Sequence, residues 1–333
     1  MSIEYQILGQ PVRDNALLVR INSGQRIDRV LFDCGYGCLD ELTLSEILQI
    51  DHLCFSHLHM DHVAGFDAFF RAVFNRETKP NVLWGPPETS QIMQGRFRGY
   101  MWNLGRDSKV SWQVHDVHPQ EVQSWLFHTS ESFTPAHEDA AYAWETVLFQ
   151  SANYSVETLV MDHMTPSLAY VVRESPKLNV ATERLQTLGL RPGPWINELK
   201  ATTSERETIE IDGKDYPTAQ LREELILETP GESIAYLTDF RLDQDALAQL
   251  VPGLQGCSTV VCECQYRHED VDLAVRNYHM TTRQVAELAA QANVGELVLF
   301  HLSERYTRDV WPLLLEEARE IFPRTRFSEH WEI

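Results

Sequence analysis

A short run of metal-binding residue types, at positions 57–62 (HLHMDH), is the clearest chemical signal in the sequence. Imidazole and carboxylate groups both bind transition metals, and so many of them in one short run have few purely structural uses. In an extended chain, residues two apart point the same way, so His57 and His59 can chelate one ion together. Asp61 and His62 follow where the chain turns toward a helix, so their side chains point elsewhere. The run therefore predicts two adjacent metal ions rather than one.

The remaining ligands are expected at the ends of other strands. Such ends converge along one sheet edge and carry the active sites of layered α/β folds. His163, Asp239 and His301 each follow directly after an apolar, strand-like run, as His57 does. They are the candidates to complete the two metal shells, and the Asp239 carboxylate is suited to bridging both ions. Imidazole and carboxylate ligands favour two zinc ions, with manganese or iron(II) as alternatives.

Hydrolysis is the chemistry that such ions favour. Water bound to zinc has a pKa near ~7, so a metal-bound hydroxide is available at neutral pH, and ions roughly 3.5–4 Å apart can polarise a phosphoryl or carbonyl oxygen. The leaving group also needs a proton donor, for which Glu263 and His279 are the candidate pair. Asp33 is expected to support the histidine loop rather than to bind metal. Six other histidines are interpreted as ordinary surface or core residues: His115, His118, His128, His137, His268 and His330.

Hydrophobic periodicity and turn residues predict the elements that position these groups. Helices are expected at 42–48, at 63–74 and from the capping box at Thr281 to Gln291. The region from 115 to 139 looks polar and irregular. Strands are predicted at 16–21, 29–32, 50–55, 156–161, 168–172, 233–237, 258–264 and 296–300.

The 333-residue chain is interpreted as one hydrolase domain over 1–333, with an inserted arm at about 174–230 where the pattern weakens. The net charge of −21 repels polyanions unless a local basic or metallic patch overrides it. Segment 95–106 alternates arginines with aromatic residues, which suits either nucleic-acid stacking or core packing. No apolar run approaches the roughly 20 residues that span a bilayer, and no signal peptide is evident, so a cytoplasmic protein is expected.

Motifs along the chain also resemble those of the metallo-β-lactamase superfamily, and more closely those of its tRNA 3′-processing branch, ribonuclease Z. They occur in the family's order and span most of the sequence. The similar pieces are FDCG (32–35), SHLHMDHVAGF (56–66), GPPET (85–89), MDHMTPSLAY (161–170), LGLRPGP (188–194), YLTDF (236–240), CEC (262–264), YHMTTRQVAELA (278–289) and LVLFHLSERY (297–306). Two features depart from the family pattern: the first loop, LGQPVRDN, has a single glycine, and Cys262 stands where a histidine is usual.

The resemblance implies an αββα sandwich with the metals at one sheet edge. It implies homodimers, a proton donor formed by Glu263 and His279, and a phosphate contact from Arg305. It also implies that Asp61 helps to deprotonate the attacking water. The implied metal ligands are His57, His59 and His163 for one ion, Asp61, His62 and His301 for the other, and Asp239 as the bridge.

Three functions are consistent with these residues. The first is a phosphodiester hydrolase of the ribonuclease Z type that uses metal-bound hydroxide on RNA or on a small phosphodiester. The acidic charge weighs against a large RNA, since the arm holds eleven acidic and seven basic residues. The second is a hydrolase of a small carboxylic ester, lactone or thioester, for which the same ions would serve. The third is a non-catalytic metal-binding protein on the same scaffold.

Overall fold

The computed structural model describes residues 2–103, 105–200, 207–331 and 333. The chain divides into two compact units, a larger one of Met1–Arg173 with Glu232–Ile333, and a smaller one of Glu174–Gly231. Among the described residues, no helix is long and apolar enough to cross a membrane. All six cysteines are free and buried.

The first sheet of the larger unit contains eight strands that lie side by side in chain order. They are β1 (Ser2–Leu8), β2 (Ala16–Asn22), β3 (Ile27–Phe32), β4 (His52–Cys54), β5 (Asn81–Gly85), β6 (Ser111–Val117), β7 (Glu121–His128) and β8 (His137–Ala143). The central strands β3 to β6 run parallel, whereas the outer pairs are antiparallel hairpins. Parallel neighbours carry their carboxyl ends to one edge, and the first histidine motif lies there, just after β4.

The second sheet contains seven strands in the order β19-β18-β17-β16-β11-β10-β9. They are β9 (Val147–Gln150), β10 (Tyr154–Asp162), β11 (Pro166–Glu174), β16 (Ser233–Leu237), β17 (Thr259–Glu263), β18 (Glu296–Phe300) and β19 (Thr325–Phe327). Strands β16 to β19 are parallel. The buried strands β16, β17 and β18 lack a clean polar alternation because both of their faces are covered.

Helices cover the outer faces of the two sheets. The eleven helices of the described residues are α1 (Leu44–Leu48), α2 (Met60–Val63), α3 (Phe66–Val73), α4 (Thr89–Phe97), α5 (Thr182–Thr187), α6 (Trp195–Lys200), α7 (Thr218–Leu225), α8 (Gln244–Gly253), α9 (Val271–Asn277), α10 (Thr282–Gln291) and α11 (Trp311–Arg319). One core lies between α1, α3, α4 and the first sheet, and a second joins both sheets to α8, α10 and α11. The expected αββα sandwich is confirmed.

Aromatic side chains connect the two sheets directly beneath the site edge. The ring of Phe32 lies 5.0 Å from that of Tyr170 and 5.8 Å from that of Tyr236. The Tyr170 hydroxyl donates to the Phe55 carbonyl at 2.8 Å. These fully buried rings exclude water and fix the strand ends relative to one another, which a metal site requires.

Two regions differ from the sequence prediction. The helix expected at 63–74 corresponds to α3 and begins only at Phe66, because Gly65 packs its backbone against the loop after β3 and separates α3 from the short helix α2. The region 115–139, expected to be irregular, contains the end of β6, all of β7 and the start of β8. The strand pattern was hard to detect there because β8 is exposed along its whole length and has no apolar face.

The aromatic residues of segment 95–106 pack mainly into the protein. Phe97 is fully buried, and its ring lies 4.9 Å from that of Phe133. The Trp102 ring lies at the same distance from Phe133, and its indole N–H donates to the Phe97 carbonyl. Core packing therefore accounts for these two rings, whereas Tyr100 is partly exposed.

The smaller unit has its own hydrophobic core. Its two hairpins pair β12 (Lys177–Val180) with β15 (Ile226–Thr229), and β13 (Thr208–Ile211) with β14 (Lys214–Pro217). A turn at Asp212 and Gly213 joins β13 to β14, and both residues have positive φ. Leu199 and Leu225 are fully buried at its centre, with α5, α6 and α7 around them. Residues 201–206 of the predicted arm lie outside the described residues.

Candidate metal centre

Four of the predicted metal ligands lie just beyond the end of a strand, and Asp61 and His62 lie in the short helix α2. His57 follows β4 by three residues, and His163 directly follows β10. Asp239 lies two residues after β16, and His301 directly follows β18. The structure brings all of these side chains together at one edge of the sandwich.

The first group joins His57, His59 and His163, whose ligand atoms lie within 4.8 Å of one another. Their rings are close and steeply inclined, with centroids 4.5 Å apart for His57 and His59 and 5.0 Å apart for His57 and His163. Three imidazoles arranged around a common point form half or more of the ligand shell of a transition-metal ion.

The second group contains Asp61, His62, Asp239 and His301, again with ligand atoms within 4.8 Å of one another. His62 Nε2 lies 3.4 Å from one oxygen of Asp61 and 3.4 Å from Oδ2 of Asp239. His301 Nδ1 lies 3.4 Å from Oδ1 of Asp239. This mixed imidazole and carboxylate set is chemically similar to the first group, with more negative charge.

The Asp239 carboxylate lies between the two groups. Its Oδ2 atom is 3.8 Å from His57 Nε2 and 3.9 Å from His163 Nε2, and its Oδ1 faces His301. Asp239 is almost fully buried, so water cannot solvate the negative charge of its carboxylate. A single carboxylate in this position can contact two cations at once.

Hydrogen bonds fix which nitrogen each imidazole presents to the centre. His163 Nδ1 must donate to the Tyr278 carbonyl, 2.7 Å away, because a carbonyl only accepts. His62 Nδ1 donates to Asp33 Oδ2 at 2.7 Å. The Ser56 hydroxyl also donates to Asp33 and thereby accepts from His57 Nδ1 at 3.1 Å. In each case the Nε2 lone pair is left for a ligand, as in metal sites whose histidines are oriented by outer groups.

Three imidazole nitrogens at the centre face the Asp239 carboxylate but form no hydrogen bond within the part of the chain that the structure describes. His57 Nε2, His62 Nε2 and His301 Nδ1 are buried and find no hydrogen-bond partner among the described residues. Buried polar atoms are rarely left without a partner, because the loss costs about 1–3 kcal/mol each. Three such atoms converging on carboxylates fit a pair of divalent cations.

Asp33 supports the histidine loop, as the sequence predicts. Its fully buried carboxylate accepts from the backbone N–H of Ser56 at 2.6 Å and from the Tyr236 hydroxyl at 2.9 Å, in addition to the Ser56 and His62 side chains. Four donors saturate the acceptor capacity of one carboxylate. Asp33 therefore positions the loop and leaves no oxygen for a metal.

Burial and charge shift the pKa values of the site in opposite directions. Burial, with help from the neighbouring imidazole of His62, lowers the pKa of His57 to about 2, so this ring is neutral and ready to bind metal. Burial also opposes charge on His301, but the Asp239 and Asp61 carboxylates outweigh it and raise its pKa to about 10. Without cations, protons thus balance the carboxylates, and bound ions would displace those protons.

Glu263 and His279 form the predicted pair beside the second group. His279 Nδ1 lies 2.8 Å from Glu263 Oε2, and the Met280 backbone N–H donates to Oε1 at 3.0 Å. Burial lowers the pKa of His279, but the Glu263 carboxylate outweighs it, and the net shift is upward. Glu263 is fully buried and holds the imidazole in one tautomer, with Nε2 left to exchange a proton.

Backbone strain concentrates at the centre. Asp33, Asp239, Tyr278 and His301 all have φ between 50° and 59°, in the left-handed region that non-glycine residues seldom adopt. Such conformations cost of order 1–3 kcal/mol each and cluster at functional sites. Here they turn the chain sharply at strand ends and aim the side chains inward. The sequence carries no signal for them, since glycine is absent from these positions.

Arg305 is the predicted site residue that the structure places apart from these groups. Its guanidinium lies 3.8 Å from the Asp270 carboxylate and over the ring of Tyr306, and its side chain is exposed. The Tyr278 carbonyl, by contrast, is a site group that sequence reasoning missed. Backbone atoms carry no residue signature, and only its position before His279 could have suggested it.

Comparisons with known proteins agree with this geometry. The chain is 46% identical over 325 residues to ribonuclease Z of Deinococcus radiodurans, covering 98% of this chain and 97% of that protein. It is 30% identical to ribonuclease Z of Brevibacillus brevis, covering 90% and 84% of the two chains. A family model described as anti-Pycsar protein Apyc1 matches residues 11–173.

Solved structures share the fold at low identity. The metallo-β-lactamase fold protein YhfI from Bacillus subtilis aligns with a TM-score of 0.58 at 14% identity, covering 98% of this chain and 96% of that one. Human tRNase Z, short form, aligns with a TM-score of 0.53 at 15% identity, covering 92% and 94%. The sandwich, with its cluster of candidate metal ligands at one edge, is the metallo-β-lactamase fold. Within that class, the chain belongs to the ribonuclease Z family.

Proposed function

We propose that the chain is an endoribonuclease that hydrolyses a phosphodiester bond at the 3′ side of precursor tRNA. The observation that carries this proposal is the joint presence of both ligand groups and the Glu263–His279 pair in a member of the ribonuclease Z family. Divalent ions at the two groups supply Lewis acidity and a nucleophilic water near neutral pH. We propose zinc for both, because imidazoles dominate the ligand set.

The residues take separate roles in this proposal. His57, His59 and His163 would hold one ion, Asp61, His62 and His301 would hold the other, and Asp239 would be available to both. Asp61 also accepts a proton from the attacking water, since its carboxylate is half exposed and already close to His62 and His301.

His279 donates the proton to the leaving 3′ oxygen. The buried Glu263 keeps the Nδ1–H bond in place and favours the protonated imidazole, as the raised pKa of His279 indicates. An alkoxide is a poor leaving group in water, so a positioned acid is expected to contribute roughly 10²–10⁴-fold to the rate. Arg305 is proposed to contact a substrate phosphate. Its exposed guanidinium would leave Asp270 to bind that phosphate.

A small phosphodiester is the second candidate substrate. The net charge of −21, and an arm in which acidic residues outnumber basic ones, oppose long-range attraction of a polyanion. A small substrate held directly at the metal centre avoids most of this repulsion, because short-range contacts then dominate.

The wider organisation is proposed on the same basis. We infer one catalytic domain over 1–333 into which residues 174–230 are inserted, a homodimer in solution and a cytoplasmic location. Light scattering of the purified protein tests the dimer, and a mass near that of one 38.4 kDa chain would contradict it.

A parallel assay of zinc-loaded protein tests the substrate. Precursor tRNA with a 3′ trailer, a generic phosphodiester and a panel of carboxylic esters, lactones and thioesters are compared at equal enzyme. The proposal predicts cleavage of the precursor tRNA at the trailer junction and slower cleavage of the small phosphodiester. Hydrolysis confined to the small phosphodiester would favour the second candidate. Hydrolysis confined to the ester panel would reject both.

A further inference from the structure

A second cluster of metal-binding side chains lies in the hairpin between β7 and β8. It contains His128, Glu131 and His137, whose ligand atoms lie within 4.8 Å of one another. Among the described residues, it is the one group of this kind outside the candidate metal centre. His137 Nε2 lies 2.6 Å from Glu131 Oε2, and the rings of the two histidines are 5.2 Å apart.

Strand register places the two histidines on one face of the sheet. His137 is paired with Leu126, and His128 lies two residues further along the same strand. Residues two apart share a face, so His128 and His137 are diagonal neighbours across the strand pair. Phe127, between Leu126 and His128, points the other way into the core, where it is buried.

The loop that carries Glu131 is held in place by the core. Ser132 and Phe133 both have left-handed backbones, with φ of 57° and 55°, and reverse the chain. Phe133 is fully buried, and its backbone N–H returns to the His128 carbonyl at 3.1 Å. The Gln94 side chain donates to the carbonyls of Phe133 and Thr134 at 3.1 and 2.7 Å. Packing of the loop therefore orders the backbone of the three ligands before an ion binds, which reduces the entropy lost on binding, as in preorganised sites.

We propose that His128, Glu131 and His137 bind a third divalent cation of the zinc class. Two imidazoles and one carboxylate are a ligand set known for zinc, with a fourth tetrahedral position left to water. Ligands of a tetrahedral zinc ion lie about 3.4 Å apart, given bond lengths of ~2.1 Å. Small side-chain rotations bring the three groups to that spacing, and the ion replaces the hydrogen bond between Glu131 and His137.

The ion would fasten an edge of the first sheet. Strand β8 is the last strand of that sheet, and all seven of its residues are exposed. An exposed edge strand is prone to fray and to pair with other chains. A cation bound at once to the end of β7 and the first residue of β8 cross-links the two strands. The site is thus structural, and it does not depend on the proposed ribonuclease activity.

The experiment compares the zinc content of the whole protein with that of the variant His128→Ala/His137→Ala. Both are equilibrated in micromolar free zinc, passed through gel filtration and measured by elemental mass spectrometry. The double variant is expected to hold one ion fewer than the wild type and to keep its activity, with a Tm lower by a few degrees in zinc. His118→Ala is the matched control, because it removes a histidine of the neighbouring hairpin that belongs to none of the described metal groups.

The difference between the two proteins separates this proposal from the catalytic one. A loss of one ion supports the hairpin site whatever the total, even if the metal centre proves to hold fewer than two. Equal zinc content in the wild type and the double variant overturns the hairpin site. Cobalt substitution adds a direct readout, since visible bands of tetrahedral cobalt should lose one component in the double variant, and an unchanged spectrum would also count against the proposal.

Discussion

At the residue scale, the metal centre depends on hydrogen bonds that leave one nitrogen of each imidazole free. Tyr278, Asp33 and Ser56 each hold the Nδ1 atom of a different histidine. The metal-binding side chains themselves could be predicted from the sequence, because histidine and aspartate after apolar strands are distinctive. The groups that orient them could not all be predicted, since one is a backbone carbonyl contributed by a distant loop.

Asp239 lies between the two candidate ligand groups, and in our proposal both ions depend on it. Asp239→Ala removes the carboxylate that lies between the two groups and leaves His57, His62 and His301 without their shared partner. We expect metal content to fall well below that of the wild type and activity to fall by roughly 10³-fold or more. Elemental analysis and the tRNA assay measure the two effects. The control, Asp245→Ala, removes an exposed acid of α8, and wild-type behaviour of Asp239→Ala would refute the site.

A substitution of His279 distinguishes metal binding from turnover. His279→Ala should keep the full metal content, because the residue belongs to neither of the two proposed ligand shells, but should lower kcat by roughly 10²–10⁴-fold. A substrate with an activated, weakly basic leaving group should recover most of this loss, since it needs no proton. A loss of metal in this variant, or an equal loss on both substrates, would contradict the role of proton donor.

At the element scale, the loop that carries the histidine motif is anchored where the backbone of Gly65 meets that of Gly35. Gly65, between α2 and α3, donates its N–H to the Cys34 carbonyl at 2.8 Å. A Cβ at Gly65 would lie 2.2 Å from the Gly35 carbonyl oxygen and 2.9 Å from that of Cys34. Such distances are not tolerated between backbone atoms, so the loop after β3 and the helix pair must move apart. The same contact explains why α3 begins at Phe66 and not at the predicted position 63.

Gly65→Ala should therefore disturb both folding and metal binding. We expect a loss of about 1–3 kcal/mol in the free energy of unfolding, as for overpacked positions, together with weaker zinc binding. Gly95→Ala is the matched control, because that glycine lies in helix α4, where an added methyl group would have nothing within 4 Å. The control should gain up to about 1 kcal/mol from helix propensity. Urea unfolding of both variants tests the pair, and equal effects would refute the contact.

Sequence patterns predicted most of the elements that carry the site. Strands β16 and β18 and helix α10 have the predicted bounds or differ at one residue, because apolar runs and a capping box mark them clearly. Strands β6 and β7 were missed because buried polar residues such as His115, Asp116 and Ser124 interrupt their apolar pattern, and β8 was missed because all of its residues are exposed. The hairpin cluster of His128 and His137 was missed for the same reason, because strand register alone brings them together.

At the scale of the whole molecule, bound cations offset part of a net charge of −21. The Asp239 carboxylate is buried, so once the ions are removed only protonated imidazoles such as His301 can balance its charge. Ligands that bind only the folded state stabilise it, by about 2.7 kcal/mol at a concentration 100-fold above Kd. Metal is therefore expected to contribute to stability as well as to catalysis.

Chelation tests this contribution. EDTA treatment of the wild type should abolish activity and lower Tm, and added zinc should restore both. The Asp239→Ala variant, which lacks its catalytic ions from the start, should show a smaller Tm change under the same treatment. Calorimetry measures the shifts. Full activity after exhaustive chelation would exclude a metal-dependent reaction.

The left-handed backbone at Asp239, with φ of 50°, has a practical consequence. Asparagine enters this region more readily than most residues, so Asp239→Asn preserves the turn after β16 while removing the charge. Such a chain keeps its architecture and its surface but lacks the group between the two ions. It is suited to serve as a capture reagent, which retains the native RNA or small phosphodiester from a cell extract without cutting it. The captured molecule could then be read directly by sequencing or mass spectrometry.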